Sequence, residues 1–144
     1  MIKSAAGLPA AADLHLTDMP ALASALSQAR AQLTAWAENT GLDADQIDDM
    51  ALAVYEAMAN VVDHAYDRPG GTFDLLARRR ADCVTVTITD RGRWKPPADG
   101  GQSWRGRGLL IMERAARVFE LTRHAMGTTV SMSWAVQADA PGSR

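Results

Sequence analysis

Residues 83–89 read Cys-Val-Thr-Val-Thr-Ile-Thr, a strict alternation of apolar and hydroxyl-bearing side chains. Only an extended chain sends successive side chains to opposite faces, so this stretch is a strand of a half-buried sheet. Val, Ile and Thr also suit a pleated surface. Just before it, residues 72–80 include Phe73, Leu75 and Ala77 and form a second strand. The turn between the two is short, so they are expected to pair as an antiparallel hairpin. Arg78-Arg79-Arg80 falls at the end of the first strand and is read as a solvated edge, because basic side chains commonly blunt exposed strands.

Helical spacing appears upstream. Asp18 is placed to cap a helix with Pro20 in its first turn. Leu22, Leu26, Ala29, Leu33 and Trp36 then form an apolar stripe, and Asn39-Thr40-Gly41 ends it. A second helix starts at Asp43 or Asp45 and runs to about Tyr66, burying Ile47, Met50, Ala51, Val54, Met58, Val61 and Val62. Arg68-Pro69-Gly70-Gly71 closes it. Before these helices, Leu14-His15-Leu16 suits a short strand within residues 12–17. After the hairpin comes a polar, Gly- and Pro-rich loop from Asp90 to Arg105, of a length that is usually functional or disordered. A helix with Leu109, Leu110, Met112, Ala115 and Ala116 follows, and then strands over 118–122 and 128–136 that turn at Ala125-Met126-Gly127. The order β-α-α-β-β-loop-α-β-β places one sheet under helices on a single face.

The chain has 144 residues, enough for one domain with a real core. Hydrophobic content of 47% and charged content of 22% are globular values. A net charge of −2 with scattered basic residues argues against direct DNA binding. The lone Cys83 has no partner for an internal disulfide, which is compatible with a reducing compartment. No signal peptide and no run of membrane-spanning length stands out, so a cytoplasmic location is expected. Residues 1–11 and 137–144 read as flexible tails around a single domain over 12–136.

Three local features carry chemistry. On the second helix, Glu56 and Asn60 are four apart and share a face, which Asp63 extends. Such a pair is either a satisfied core hydrogen bond or a site combining a proton acceptor with a neutral oxygen ligand for a metal. Asp90-Arg91-Gly92 directly follows a strand, where it either simply makes a turn or places a carboxylate to accept from an exocyclic amine, with a glycine that lets a flat ring lie close to the backbone. Gly106-Arg107-Gly108 opens a helix, whose free N–H groups suit phosphate, with Arg105 and Arg107 adding charge. It is neither a Walker A loop nor a dinucleotide fingerprint.

Taken together and in this order, these motifs resemble the histidine-kinase-like ATP-binding domains of sensor kinases, type II topoisomerases, Hsp90-like chaperones and mismatch-repair proteins. Glu56-x-x-x-Asn60-x-x-x-His64-Ala65-Tyr66 looks like the N box, Asp90-x-Gly92 like the first glycine box, Arg105-Gly106-Arg107-Gly108-Leu109 like the second, and Gly127-Thr128-Thr129-Val130 like the late Gly-Thr segment. The resemblance covers residues 12 to 136. It implies an α+β, two-layer α/β sandwich of Bergerat type, with a mixed, mostly antiparallel sheet and about three helices on one face. The short lid and the lack of a phosphoacceptor helix hairpin are most similar to the anti-sigma-factor serine kinases and unlike a complete sensor histidine kinase.

The same resemblance implies residue roles. Asn60 binds Mg²⁺ that bridges the ATP phosphates, and Glu56 is the general base. Asp90 accepts from the adenine amino group, Gly92 admits the ring, and Thr128 supports the base. Gly106, Gly108 and the helix start at Leu109 cradle phosphate. Arg105 and Arg107 either neutralise charge in transfer or simply solvate the lid. Asp63 either reaches the metal through water or caps local donors. His64 and Tyr66 match the motif, yet such residues at the end of an apolar helix are more often packed and hydrogen-bonded than catalytic. Trp94 and Trp104 either cover the nucleotide or, as we favour, meet a partner. Where sensor kinases commonly carry a further glycine, Arg93-Trp94 follows Gly92. The implied activity is serine/threonine phosphorylation of an anti-anti-sigma antagonist by a protein that also sequesters a sigma factor. The alternative is a nucleotide-dependent binding module with little phosphotransfer. Whether the chain forms a homodimer is left open by the sequence.

Overall fold

The computed structural model describes residues 12–66, 68, 70–92 and 107–136, with the side chains of 107–110 excluded. The elements run β1 (Leu14–Pro20), α1 (Ala23–Ala37), α2 (Ala44–Asn60), a π turn (Val61–Ala65), β2 (Thr72–Arg79), β3 (Cys83–Asp90), α3 (Arg107–Ala115), β4 (Val118–His124) and β5 (Gly127–Ala135). The strands form one sheet in the order β1-β2-β3-β5-β4. The expected sheet was mixed, but every pairing among the described residues is antiparallel. The fold is the expected α+β sandwich of one sheet and three helices.

Alternation in β3 decides the layering. Val84, Val86 and Ile88 are buried, whereas Thr85, Thr87 and Thr89 on the other face are not. The register carries the same face across the sheet. Leu75 pairs with Ile88 and Ala77 with Val86, while Val130, Met132 and Trp134 of β5 lie opposite Ile88, Val86 and Val84. Against this face pack Leu33 of α1, Met50, Val54 and Met58 of α2, Val61 of the π turn and Met112 of α3. Each such side chain fully buried stabilises the fold by roughly 1.5–3 kcal/mol relative to exposure.

The helix starts differ in quality. Asp43 caps α2 in a reciprocal capping box: its carboxylate accepts from the Gln46 N–H at 2.8 Å, and the Gln46 side chain accepts from the Asp43 N–H at 3.0 Å. The amide of Gln46 also donates to the Ala135 carbonyl at 2.6 Å, tying the start of α2 to the end of β5. For α1 the sequence expectation fails. Asp18 caps nothing, β1 continues to Pro20, and the N-cap is Leu22 with no side-chain bond. Strand pairing overrides capping here. A bulge between Leu16 and Met19 puts Asp18 at φ 56°, and its N–H donates to Asp74 Oδ1 at 2.8 Å. Leu22 is consequently 52% exposed and leaves the stripe. Pro20 is tolerated because β1 is an edge strand.

The arginine run is not on an edge, since β2 lies inside the sheet. Arg79 instead donates to the Thr40 carbonyl at 2.6 Å and to the Ala81 carbonyl at 3.1 Å, fastening the α1–α2 turn to the hairpin. Arg78 pairs with Asp13 at 3.2 Å. No described helix is long and apolar enough to cross a membrane.

Candidate nucleotide site

Asn60 is the last residue of α2, and the next five residues form the π turn. The expectation of one α-helix to Tyr66 is therefore right in course but not in winding. Widened turns of this kind are rare and concentrate at functional sites. Within α2, Glu56 and Asn60 keep the α spacing that stacks them on one face one turn apart. Glu56 is half-buried and makes no hydrogen bond or ion pair among the described residues. Asn60 has a buried Nδ2 with no hydrogen-bond partner there. An orphaned polar atom of this kind costs about 1–3 kcal/mol and asks for an explanation. Asp63, moved off the α register by the π turn, is exposed, and His64 is half-buried.

The second group of candidate residues lies at the end of β3. Asp90 is 1% exposed and faces the helices in the same row as Phe73 and Thr128, which is 3% exposed. Its Oδ1 accepts from the Gly92 N–H at 3.0 Å, an Asx-type turn that fixes the carboxylate. Three backbone approaches then lock this corner. A Cβ on Gly92 would lie 2.0 Å from the Ala65 carbonyl oxygen of the π turn. One on Gly127 would lie 1.9 Å from the Asp90 carbonyl oxygen, and Gly127 also has φ +148°. Gly71 faces the Tyr66 ring, with a hypothetical Cβ 2.2 Å from a ring carbon. The first-glycine-box residue was read from sequence as room for a ring; the fold itself uses that room to seat α2's end against β3's end. Replacing Gly92 with Ala should therefore cost about 1–3 kcal/mol, the ordinary penalty of overpacking. A thermal unfolding curve checks this, and an unchanged midpoint would contradict the contact.

Tyr66 was read as packed and hydrogen-bonded, and it is. Its hydroxyl donates to the Thr72 carbonyl at 2.6 Å and accepts the Arg91 N–H at 2.9 Å. Arg91 in turn pairs with Asp74 at 2.7 Å, the residue that holds the β1 bulge. Nothing in sequence spacing signals these links. Of the second glycine box, Arg107, Gly108 and Leu109 open helix α3 as expected, although only their backbone is described. Arg105, Gly106, Trp94 and Trp104 lie outside the described residues. Helix α3 is anchored by buried Met112 and by the Trp134 indole, which donates to the Ala115 carbonyl at 2.9 Å.

The site thus places a carboxylate and an unpartnered carboxamide on one helix, a buried acceptor at a strand end, and a helix start nearby in the order of the chain. A family described as the histidine kinase-like ATPase domain matches residues 19–134. The chain belongs to this family. Membership implies ATP as its ligand class. Among curated relatives, the serine-protein kinase RsbW of Halalkalibacterium halodurans is 37% identical over 75 residues, covering 52% of this chain and 46% of that protein. The serine-protein kinase RsbW of Bacillus cereus is 31% identical over 74 residues, covering 51% and 46%. The chain therefore spans about half the length of the curated relatives it matches. A solved structure of the RsbU and RsbW domains of Rv1364c from Mycobacterium tuberculosis superposes with a TM-score of 0.64 at 26% identity, over 85% of this chain and 32% of that one. The Erythrobacter litoralis EL346 blue-light activated histidine kinase shares the fold, with a TM-score of 0.57 at 21% identity over 80% of this chain and 42% of that one.

Proposed function

We propose that this histidine kinase-like ATPase domain is an anti-sigma-factor kinase, transferring the γ-phosphate of ATP to a serine or threonine of an anti-anti-sigma antagonist. The observation that carries the reading is the pairing, on one helix face, of a carboxamide whose buried Nδ2 has no hydrogen-bond partner with a carboxylate that makes none among the described residues. A structural pair would have satisfied itself; Glu56 and Asn60 do not.

The residues fit a divalent cation. Half a turn about the terminal torsion exchanges the two ends of a carboxamide, so the unpartnered end of Asn60 can present Oδ1. One neutral oxygen suffices for Mg²⁺, which takes its other ligands from phosphate and water. When bound, Mg²⁺ neutralises charge on the phosphate oxygens. Asp90 accepts from the adenine amino group, with Thr128 beside it in the same row. Gly106, with Gly108 and Leu109 in the first turn of α3, receives phosphate, and Arg105 and Arg107 add positive charge there. Glu56 takes the proton from the acceptor hydroxyl as its oxygen bonds to the γ-phosphorus, the bond to the β-phosphate oxygen breaks, and ADP leaves. Support for serine as acceptor comes from the two relatives named as serine-protein kinases. Sequestration of a sigma factor is part of the same proposal and rests on the resemblance of the motifs to those of the anti-sigma-factor serine kinases.

Calorimetric titration of ATP with and without Mg²⁺ tests the site. The unsubstituted protein should bind ATP more tightly with Mg²⁺. Asn60→Ala should lower that affinity by about tenfold or more, as expected for losing the protein's metal ligand. Unaltered Mg·ATP binding by Asn60→Ala would remove the metal assignment.

A further inference from the structure

The two ends of the proposed site are held together by a side chain assigned to neither. Asn60 leads straight into the π turn, and the π turn leads straight to Tyr66. From there the Tyr66 hydroxyl reaches the Arg91 N–H at 2.9 Å, one residue from Asp90, and the Thr72 carbonyl at 2.6 Å. Its ring lies against Gly71 and Gly92, where added Cβ atoms would come within 2.2 Å and 2.9 Å of ring carbons. Two side chains bond backbone N–H groups of the Asp90–Gly92 turn: the Asp90 carboxylate at Gly92 and the Tyr66 hydroxyl at Arg91. The Arg91 side chain adds bonds to Asp74 and Thr72 on β2, but of these contacts the Tyr66 hydroxyl is the one that comes from the end of the π turn.

We propose that Tyr66 is a positioning residue that sets the register between the carboxamide of the phosphate end and the carboxylate of the base end, so that base selectivity depends on its hydroxyl. The inference rests on the nucleotide reading above. Its physical basis is the difference between a packing defect and a register defect. Loosened packing weakens every nucleotide alike. A shift of the Asp90 turn against the π turn spoils only the match between a held triphosphate and the base acceptor. Adenine then loses its advantage over a base that never made that bond. A site built to hydrogen-bond one group rejects analogues because its own polar groups are left unpaired, and that rejection needs the acceptor held in place.

Tyr66→Phe keeps the ring against Gly71 and Gly92 and removes the hydroxyl alone. Titration calorimetry with Mg·ATP and Mg·GTP is run on both proteins. The expected result is an ATP affinity lowered about tenfold, as for the loss of two hydrogen bonds that hold the site's register, with GTP affected less. An equal loss for both nucleotides, or no loss, overturns the proposal. Failure of the unsubstituted protein to bind Mg·ATP overturns the nucleotide reading itself, and this inference with it. A second measurement needs no variant: hydrogen exchange on the unsubstituted protein with saturating adenosine, which carries a base and no phosphate. Slowed exchange at Arg91 together with residues 62–65 is expected; protection confined to 90–92 overturns the coupling even where Tyr66→Phe does not fold.

Discussion

Glu56→Gln should abolish phosphate transfer and leave ATP binding intact. The substitution is isosteric, preserves the helix, and removes only the capacity to take a proton. Glu56 makes no hydrogen bond or ion pair among the described residues and is half-buried, so nothing in the fold is expected to depend on its charge. Changes at such positions usually move stability by less than about 0.5 kcal/mol. A general base contributes roughly 10²–10⁴-fold to rate, so transfer to an antagonist's serine, followed with labelled ATP, should fall by about that factor. Calorimetric ATP affinity should stay within about twofold, because an uncharged oxygen acceptor remains in place. The outcomes separate three proteins. Persistent transfer would show that another group, or none, takes the proton. Lost ATP binding would make Glu56 a ligand. An unsubstituted chain that binds ATP and transfers nothing would be a nucleotide-dependent binding module.

Features set by local pattern were legible before any coordinates. The β2–β3 hairpin, the β5 strand and the buried stripe of α2 follow from periods of two and of 3.6 residues. Of the stripe named from spacing, Met50, Val54, Met58 and Val61 are buried, whereas Ile47, Ala51 and Val62 are half-buried. Asp90 and Thr128, suggested as members of one site by motif alone, do share a row of the sheet. What the sequence did not disclose depends on contacts between distant segments. Asp18 looked like a cap because local propensity favours it; its positive φ is held by Asp74, 56 residues away. The π turn ends where Gly92 lets a strand end touch the Ala65 carbonyl, a contact invisible to any window along the chain. Arg78-Arg79-Arg80 has the composition of a solvated edge, yet Arg79 is spent on the α1–α2 turn. The misread residues share one trait: each meets a partner far off in sequence, Asp18 the Asp74 carboxylate, Gly92 the Ala65 carbonyl and Arg79 the Thr40 carbonyl.

The two glycines of this corner serve the same end. Gly92 stands where the Ala65 carbonyl comes close, and Gly127 where the Asp90 carbonyl does. The Asp90 carboxylate accepts from the Gly92 N–H, and the Arg91 N–H between them donates to the Tyr66 hydroxyl. On the reading proposed above, a carboxylate fixed in this way discriminates between similar rings because it does not follow a poorly matched one.

Asp90→Asn should show this as a change of preference rather than a loss of fold. The side chain is nearly isosteric, and the asparagine oxygen can still accept from the Gly92 N–H, now at 3.0 Å from Oδ1. With that oxygen committed, the other end of the group becomes an NH₂ donor where a carboxylate oxygen stood. Two donors then face each other across the adenine amino group, and a buried acceptor bond becomes an unpaired, desolvated contact. ATP affinity should fall about 100-fold, within the range seen when a hydrogen-bonding site meets the wrong partner. Guanine carries an acceptor at the corresponding ring position, so GTP affinity should fall less or rise, narrowing or reversing the preference. Asp90 is 1% exposed, and removing a buried charge while keeping the bond from the Gly92 N–H should leave the unfolding midpoint near that of the unsubstituted protein. Parallel titrations of ATP and GTP, with a melting curve on each protein, decide the matter. If the variant keeps ATP affinity and preference, Asp90 serves only the turn with Gly92, and the base is read elsewhere in the site.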